Sequence, residues 1–463
     1  MAIGAYAAWM LGQEARSLLA RLGRLEPFAL IEPTVLAAAL MPSAQSAIES
    51  QLVQGRRELR RMVAQFQWWL RREQADRASS ATPAEAQRRF TFLRLKFNAA
   101  LTQFDLFNEV ITQRSEHKTG VWLSGLDIVA ADALALPLPY RYYQSPPLIC
   151  YLDRGPGAAI RRARTRLPGG GENPVAIIRL PRERMIGSGI ASSLVHEIGH
   201  QGAALLDLVA SLRPVLQAMQ YGGSGAVHVW QLWERWISEI VADFWSLARV
   251  GVAATLGLIG VVSLPRVFVF RLNVDDPHPV PWLRVRLSCA MGRALYPHPQ
   301  WTRIEQLWLS YYLPERLPPA QQRLLQQLQA SMAALVGLLV QHRPPALRGR
   351  SLVEVMAVHQ RQPALLASLF RQWSAAPRQM YQASPTLVFA VLGQARASGS
   401  LSPEDESELL GRLLTHWALR ATLDTSELCA DVLSHNPLRH NPLRHGQLAD
   451  GAVPRLASRL IIH

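Results

Sequence analysis

Cysteine is almost missing from this chain of 463 residues: Cys150, Cys289 and Cys429 lie far apart, are odd in number and form no Cys-x-x-Cys pair. That pattern excludes a disulfide framework and a thiolate zinc site, and it favours a reducing compartment. Lysine is scarcer still. Lys96 and Lys118 are the only two, so 47 of the 49 basic residues are arginine. Against 34 acidic residues they give a formal net charge of +15. The arginines are scattered, with no basic tail, and the densest group, Arg56, Arg57, Arg60 and Arg61, sits on the polar side of an amphipathic pattern. Codon bias in a GC-rich bacterial genome and ordinary solvated faces account for the excess, and no motif for specific nucleic-acid recognition accompanies it. No apolar run reaches the ~20 residues of a membrane span. The longest, Val250 to Pro265, contains three glycines and ends on proline, so a buried helix is expected there. Ala2 to Gly12 is apolar but lacks a basic segment before it and runs into Glu14 and Arg16, unlike an export signal. The expectation is a soluble cytoplasmic bacterial protein, although an effector exported by a dedicated machine would have the same features.

What is present is ample apolar material, 49% of residues, enough for one large core or two to three smaller ones. Leu59, Met62, Val63, Phe66 and Trp69 recur at helical spacing, and Pro83 suits the first turn of a further helix reaching about Thr112. From Gly120 short apolar segments alternate with turn residues. Leu148 to Leu152 and Val175 to Leu180 read as strands of a small sheet joined by hairpins. Helices are expected from near Ser188 and from Val229 to Arg249, then again beyond Trp301, where Leu324, Leu328, Met332, Leu335 and Leu339 form a stripe. The resulting fold class is α+β, mainly helical, in three segments: a helical region over 1–118, a core over 119–300, and a helical region over 301–463 with a loose tail from about 434. In that tail Asn436 to His440 is repeated directly as Asn441 to His445, which with His435 and His463 reads as a local duplication rather than a second metal site.

The chemistry concentrates in the middle segment. His196, Glu197 and His200 fit His-Glu-x-x-His; residues four apart share one helix face, so both imidazoles can bind one Zn²⁺ while Glu197 activates a water beside it. Gly199 and Gly202 cost helix stability but allow another element to approach. A catalytic zinc needs a third protein ligand. Glu239 and Asp243, also four apart, lie among Ile237, Ile240, Val241, Phe244 and Trp245, where carboxylates need partners. Zinc would satisfy Glu239 and a zinc-bound imidazole N–H would satisfy Asp243; an ion pair with an arginine is the other reading of either residue.

His-Glu-x-x-His followed by Glu-x-x-x-Asp on a later helix resembles the gluzincin metallopeptidases. The resemblance implies a zincin-like core (small sheet, His-Glu-x-x-His helix, glutamate helix), with one zinc held by His196, His200 and Glu239 and with Asp243 bonded to a ligand histidine. His278-Pro with Arg284 following is similar to the CaaX-prenyl-protease and HtpX-type peptidases, and it implies that His278 steadies the oxyanion, with Arg284 as a further candidate. The chain lacks that family's several membrane spans, and the resemblance covers only about residues 175 to 290. Zincins bind substrate as an added strand along a sheet edge, for which Val175 to Leu180 is the candidate, a plain buried strand being the alternative.

The expected activity is therefore endopeptidase hydrolysis, with Glu197 as general base and His278 as oxyanion donor, on a peptide or protein substrate. Helical end regions could recruit a protein partner. A zinc-braced interaction scaffold is the competing reading, though it has no use for Glu197; an anionic-surface or nucleic-acid binder is a third, resting on charge alone.

Overall fold

A computed structural model of the chain describes residues 3–24, 35–76, 80–137, 141–155, 157–182, 187–221, 227–273 and 276–434. The protein is mainly helical, with one three-stranded sheet among the described residues. It divides into two compact units: Met1–Ser124 with Arg164–Pro174 and Thr415–His463, and Gly125–Ala163 with Val175–Leu414. The units interleave along the chain, whereas the sequence pattern suggested three consecutive segments. Local periodicity carries no record of a later return. The Asn436 to His445 duplication, His435 and His463 lie outside the described residues.

In the first unit, helices α1 (Ala5–Arg24), α2 (Pro42–Ala75) and α3 (Pro83–Thr112) pack together. Leu18 and Leu22 of α1, Leu59, Val63 and Phe66 of α2, and Phe90, Leu93 and Phe97 of α3 fill their common core. Pro83 occupies the first turn of α3, and the Thr82 hydroxyl accepts from the Glu85 N–H at 3.2 Å. Gln103 on α3 donates to the carbonyls of Pro168 and Gly170 at 2.8 and 2.9 Å, which ties down the 164–174 loop.

The second unit holds the sheet. Strands β1 (Leu148–Asp153), β2 (Ala159–Arg161) and β3 (Ala176–Pro181) run in the order β1-β3-β2. β3 is parallel to β1, with Leu148 opposite Ala176, and antiparallel to β2, with Ile160 opposite Ile178. Two expectations are corrected here. β1 and β3 do not form a hairpin, because a parallel neighbour needs a crossover. Val175 to Leu180 is not a sheet edge, since β3 pairs on both sides and is buried almost throughout.

Behind the sheet come α4 (His117–Leu134), whose second half belongs to this unit, and then α5 (Ser188–Leu205), α6 (Leu208–Gln220), α7 (Val227–Val250) and α8 (Val252–Val262). The apolar run from Val250 is a buried helix, α8, of 11 residues. α9 (Pro281–Leu295), α10 (Gln300–Tyr311), α11 (Pro319–Gln341), α12 (Pro363–Ala375) and α13 (Pro385–Ala397) follow, and α14 (Pro403–Ser434) begins in this unit. By length and composition alone, α11 is the one described helix apolar enough to cross a membrane. Its Leu325, Leu328, Met332, Leu335 and Leu339 face is buried in packing against α7 and α9.

A buried polar knot joins α4, α7 and α13. The Asp132 carboxylate accepts from the Thr386 N–H at 2.8 Å and its hydroxyl at 2.6 Å, and lies 3.8 Å from Arg249. Arg361 donates to the Arg249 carbonyl at 2.8 Å and to the Thr386 hydroxyl at 3.3 Å. Burial, aided by the charge of Arg249, pushes the Arg361 guanidinium down to about 10. Two buried guanidiniums thus lie in the field of one carboxylate, and only Arg249 is paired with it.

Candidate metal centre

The centre is built where α5 crosses α7. Leu194, Val195 and Ile198 turn inward from α5, which leaves His196 and His200 one turn apart on the face toward α7. The crossing is close because two glycines permit it. A Cβ at Gly199 would lie 2.8 Å from the Ala242 Cα, and one at Gly202 would lie 2.4 Å from the Trp245 ring.

Across that crossing, Glu239 of α7 faces both imidazoles. Its carboxylate oxygens lie 3.2 Å from the His196 Nε2 and 3.4 Å from the His200 Nε2. One donor atom from each of the three residues falls within 4.8 Å of the others, so the group could hold a metal ion. The Nδ1 atoms are engaged from behind. His196 Nδ1 is 2.8 Å from the Asp243 carboxylate, and His200 Nδ1 is 3.3 Å from the Ser238 hydroxyl. Fixing Nδ1 in this way leaves Nε2 as the ligating nitrogen.

Asp243 answers both alternatives left open by the sequence. It contacts His196, and it also accepts a bidentate pair from Arg284 of α9, Nε at 2.6 Å and Nη2 at 2.8 Å. Arg284 is further 3.8 Å from Glu239. His278 reaches the same carboxylate, with Nε2 3.2 Å from Glu239, while Asp276 holds its Nδ1 at 2.8 Å. Glu197 is 8% exposed and has no hydrogen-bond partner among the described residues. All six predicted residues, His196, Glu197, His200, Glu239, Asp243 and His278, therefore lie in one place, with Arg284 beside them. Ser238 escaped sequence reading because serine next to a glutamate gives no signal of its own. Gln201 escaped too: buried beside His200, its side-chain oxygen accepts from the Ala163 N–H at 2.9 Å and so secures the chain two residues past β2 to α5.

The electrostatics test whether a cation belongs here. Glu197, Glu239 and Asp243 are three carboxylates against the single guanidinium of Arg284, which leaves two negative charges in a buried site. A divalent cation is the matching complement. Without it a protonated His196 offsets one of the two. Burial alone would pull His196 down, but the charge and hydrogen bond of Asp243 and that of Glu239 hold it up at about 9. Burial also works against ionised Glu239, yet hydrogen bonds from His196 and His200 keep its carboxyl well below the usual range. Asp243 is likewise held low, against its burial, by Arg284 and His196. Glu197 moves the other way. Desolvation raises it, and the nearby imidazoles only partly offset that.

A cavity of about 120 Å³ opens onto this cluster. His196, Glu197, Asp243, His278 and Arg284 form its polar side, and Ala254, Leu258 and Val261 of α8 its apolar side. Gly157 and Ala158, just ahead of β2, close one edge. The chain matches no protein-family model, no curated protein and no solved structure.

Proposed function

We propose that the chain is a zinc-dependent endopeptidase of the gluzincin type. The observation that carries the reading is the pairing of a two-imidazole, one-carboxylate donor set with Glu197, a raised and unengaged carboxylate on the same cavity wall. Two nitrogens and one oxygen suit zinc and leave its fourth position open, as catalytic sites do. The sequence of small sheet, α5 and α7 agrees with a zincin-like core. A scaffold held together by metal would give Glu197 no task. Cys150 and Cys289 are buried thiols, in keeping with a reducing, cytoplasmic setting.

Zinc, when bound, supplies Lewis acidity, polarising the scissile carbonyl and lowering the pKa of water toward ~7. Glu197 accepts the proton of the attacking water and hands it to the departing amine, so that water ends as the new carboxyl O–H and amine N–H. Its raised pKa brings it nearer the working pH of such a relay. His278, its Nδ1 held by the Asp276 carboxylate, donates from Nε2 as an imidazolium to the oxygen on which negative charge develops. Asp243 and Arg284 keep His196 oriented. The substrate backbone pairs with the outer edge of β2, the short strand that begins beside the cavity and leads to Ala163, anchored by Gln201.

The test is elemental analysis of the purified protein and of His200→Ala, followed by casein cleavage with Glu197→Gln as control. About one zinc per chain, lost in His200→Ala, with turnover abolished in Glu197→Gln, would support the proposal. A chain that takes up no zinc on reconstitution would overturn it.

A further inference from the structure

The stretch Arg266–Leu272 lies between two residues of the catalytic cavity in the chain. Val261 and His278 line the catalytic cavity, whereas Arg266, Val267, Phe270, Arg271 and Leu272 line a separate groove of about 910 Å³. The opposite wall of the groove is Leu317, Gln321 and Leu324, from the start of α11 and the turn before it. Hydrogen bonds fix both walls: Gln321 donates to the Phe270 carbonyl at 2.6 Å, and the Tyr312 hydroxyl donates to the Leu264 carbonyl at 3.0 Å. The Phe270 ring packs on Trp282, four residues past His278, with centroids 5.8 Å apart.

The surface around the groove is unusually apolar for solvent. Leu264, Val267 and Phe268 are 44%, 71% and 48% exposed, and Leu313 is 52% exposed. Scattered apolar residues need no explanation, but a cluster beside a groove marks a binding surface. The charge is one-sided. None of the lining residues is acidic, while Arg266 and Arg271 both contribute. Arg266 lies over the Phe270 ring at 4.6 Å, and its Nη2 is buried with no hydrogen-bond partner among the described residues. Arg271 is the exposed guanidinium of the two, so an occupant with apolar side chains and a carboxylate complements this lining.

We infer that this groove is an exosite for the polypeptide substrate, capturing an apolar segment that carries an acidic residue and lies outside the scissile bond. The inference rests on the peptidase reading for its occupant, since residues of the catalytic cavity flank the groove's own stretch in the chain. It makes the enzyme selective for chains that expose apolar, acidic stretches, as unfolded or partly folded proteins do.

Binding can be read without turnover. A fluorescein-labelled decapeptide of leucine and phenylalanine flanked by aspartates is titrated against the full chain, as Glu197→Gln, by fluorescence anisotropy. A second decapeptide replaces the aspartates with lysines. The aspartate peptide should bind, with affinity reduced about tenfold or more by Val267→Asp or Arg271→Glu. Arg271→Glu should in turn gain affinity for the lysine peptide, a gain that misfolding cannot produce. Equal binding by wild type and both variants would overturn the exosite. So would binding to phosphatidylglycerol vesicles without binding to the peptide, or self-association through this face in sedimentation velocity. Loss of the peptidase reading is seen separately, as missing zinc or missing cleavage, and leaves these titrations unchanged.

Discussion

Asp243→Asn separates orientation of a ligand from simple stability. Three donors converge on the Asp243 carboxylate: Nε and Nη2 of Arg284 at 2.6 and 2.8 Å, and Nδ1 of His196 at 2.8 Å. A carboxamide has one acceptor oxygen and turns a donor toward the rest, so it cannot serve both His196 and Arg284. Loss of such a partner costs about 10–100-fold in metal affinity, which is about 1.4–2.7 kcal/mol. Stability falls as well, because Arg284 is left buried without its bidentate partner, with Glu239 at 3.8 Å and the charge of Glu197 as partial compensation. The expected cost is about 3 kcal/mol, the lower part of the range for breaking a buried pair. Adding Arg284→Met removes the stranded charge and should recover most of the stability but none of the zinc affinity. Competition against a chromophoric chelator reads the affinity, and tryptophan fluorescence in denaturant with chelator present reads the stability. Wild-type zinc affinity in Asp243→Asn would refute the reasoning. Restored affinity in the double variant would also refute it, by making the defect one of collapse around Arg284 rather than of His196 orientation.

Glu197→Gln should keep zinc and lose about 10²–10⁴-fold in turnover, the range of a positioned acid–base group, as measured on casein. His278→Ala should keep zinc and reduce kcat with little change in KM, since its donor acts on charge absent from the ground state. Gly202→Ala places a Cβ 2.4 Å from the Trp245 ring, so a loss of about 1–3 kcal/mol in denaturation and weaker zinc binding are expected as α5 and α7 separate. Gly337→Ala, in α11 with open space around it, should instead stabilise by up to about 1 kcal/mol. Zinc at 100 times its Kd should raise the stability of wild type by about 2.7 kcal/mol, and a chelator should remove that increment.

Much of the site was legible because its parts obey local periods. His196 and His200 share a face by spacing alone, and Glu239 and Asp243 stood out as carboxylates on a helix whose neighbours are Ile240, Phe244 and Trp245. Gly199 and Gly202 signalled the close crossing, with Ala242 and Trp245 as the surfaces they meet. What stayed hidden depends on partners distant in the chain. The parallel pairing of Leu148 with Ala176 and the position of β3 between two strands are set by the crossover, not by the strand's own composition. The bidentate contact of Arg284 with Asp243 spans 41 residues and could not be told from the several other arginines nearby in sequence. The stripe on α11 was nearly right: Leu325 takes a core position, while Leu324 turns to the groove.

The knot of Asp132, Arg249, Arg361 and Thr386 sets an order on how this protein can change over generations. Replacing Arg361 first leaves Arg249 and Asp132 as a matched couple, with Thr386 still bonded to the carboxylate. Replacing Asp132 first leaves two buried guanidiniums without the carboxylate whose charge both feel, at about 3–5 kcal/mol, a large share of the ~5–15 kcal/mol that holds a typical fold. Drift can therefore dismantle the knot only from the arginine side. Among diverged descendants of this chain, some should have lost Arg361 while keeping Asp132, and the reverse combination should be missing.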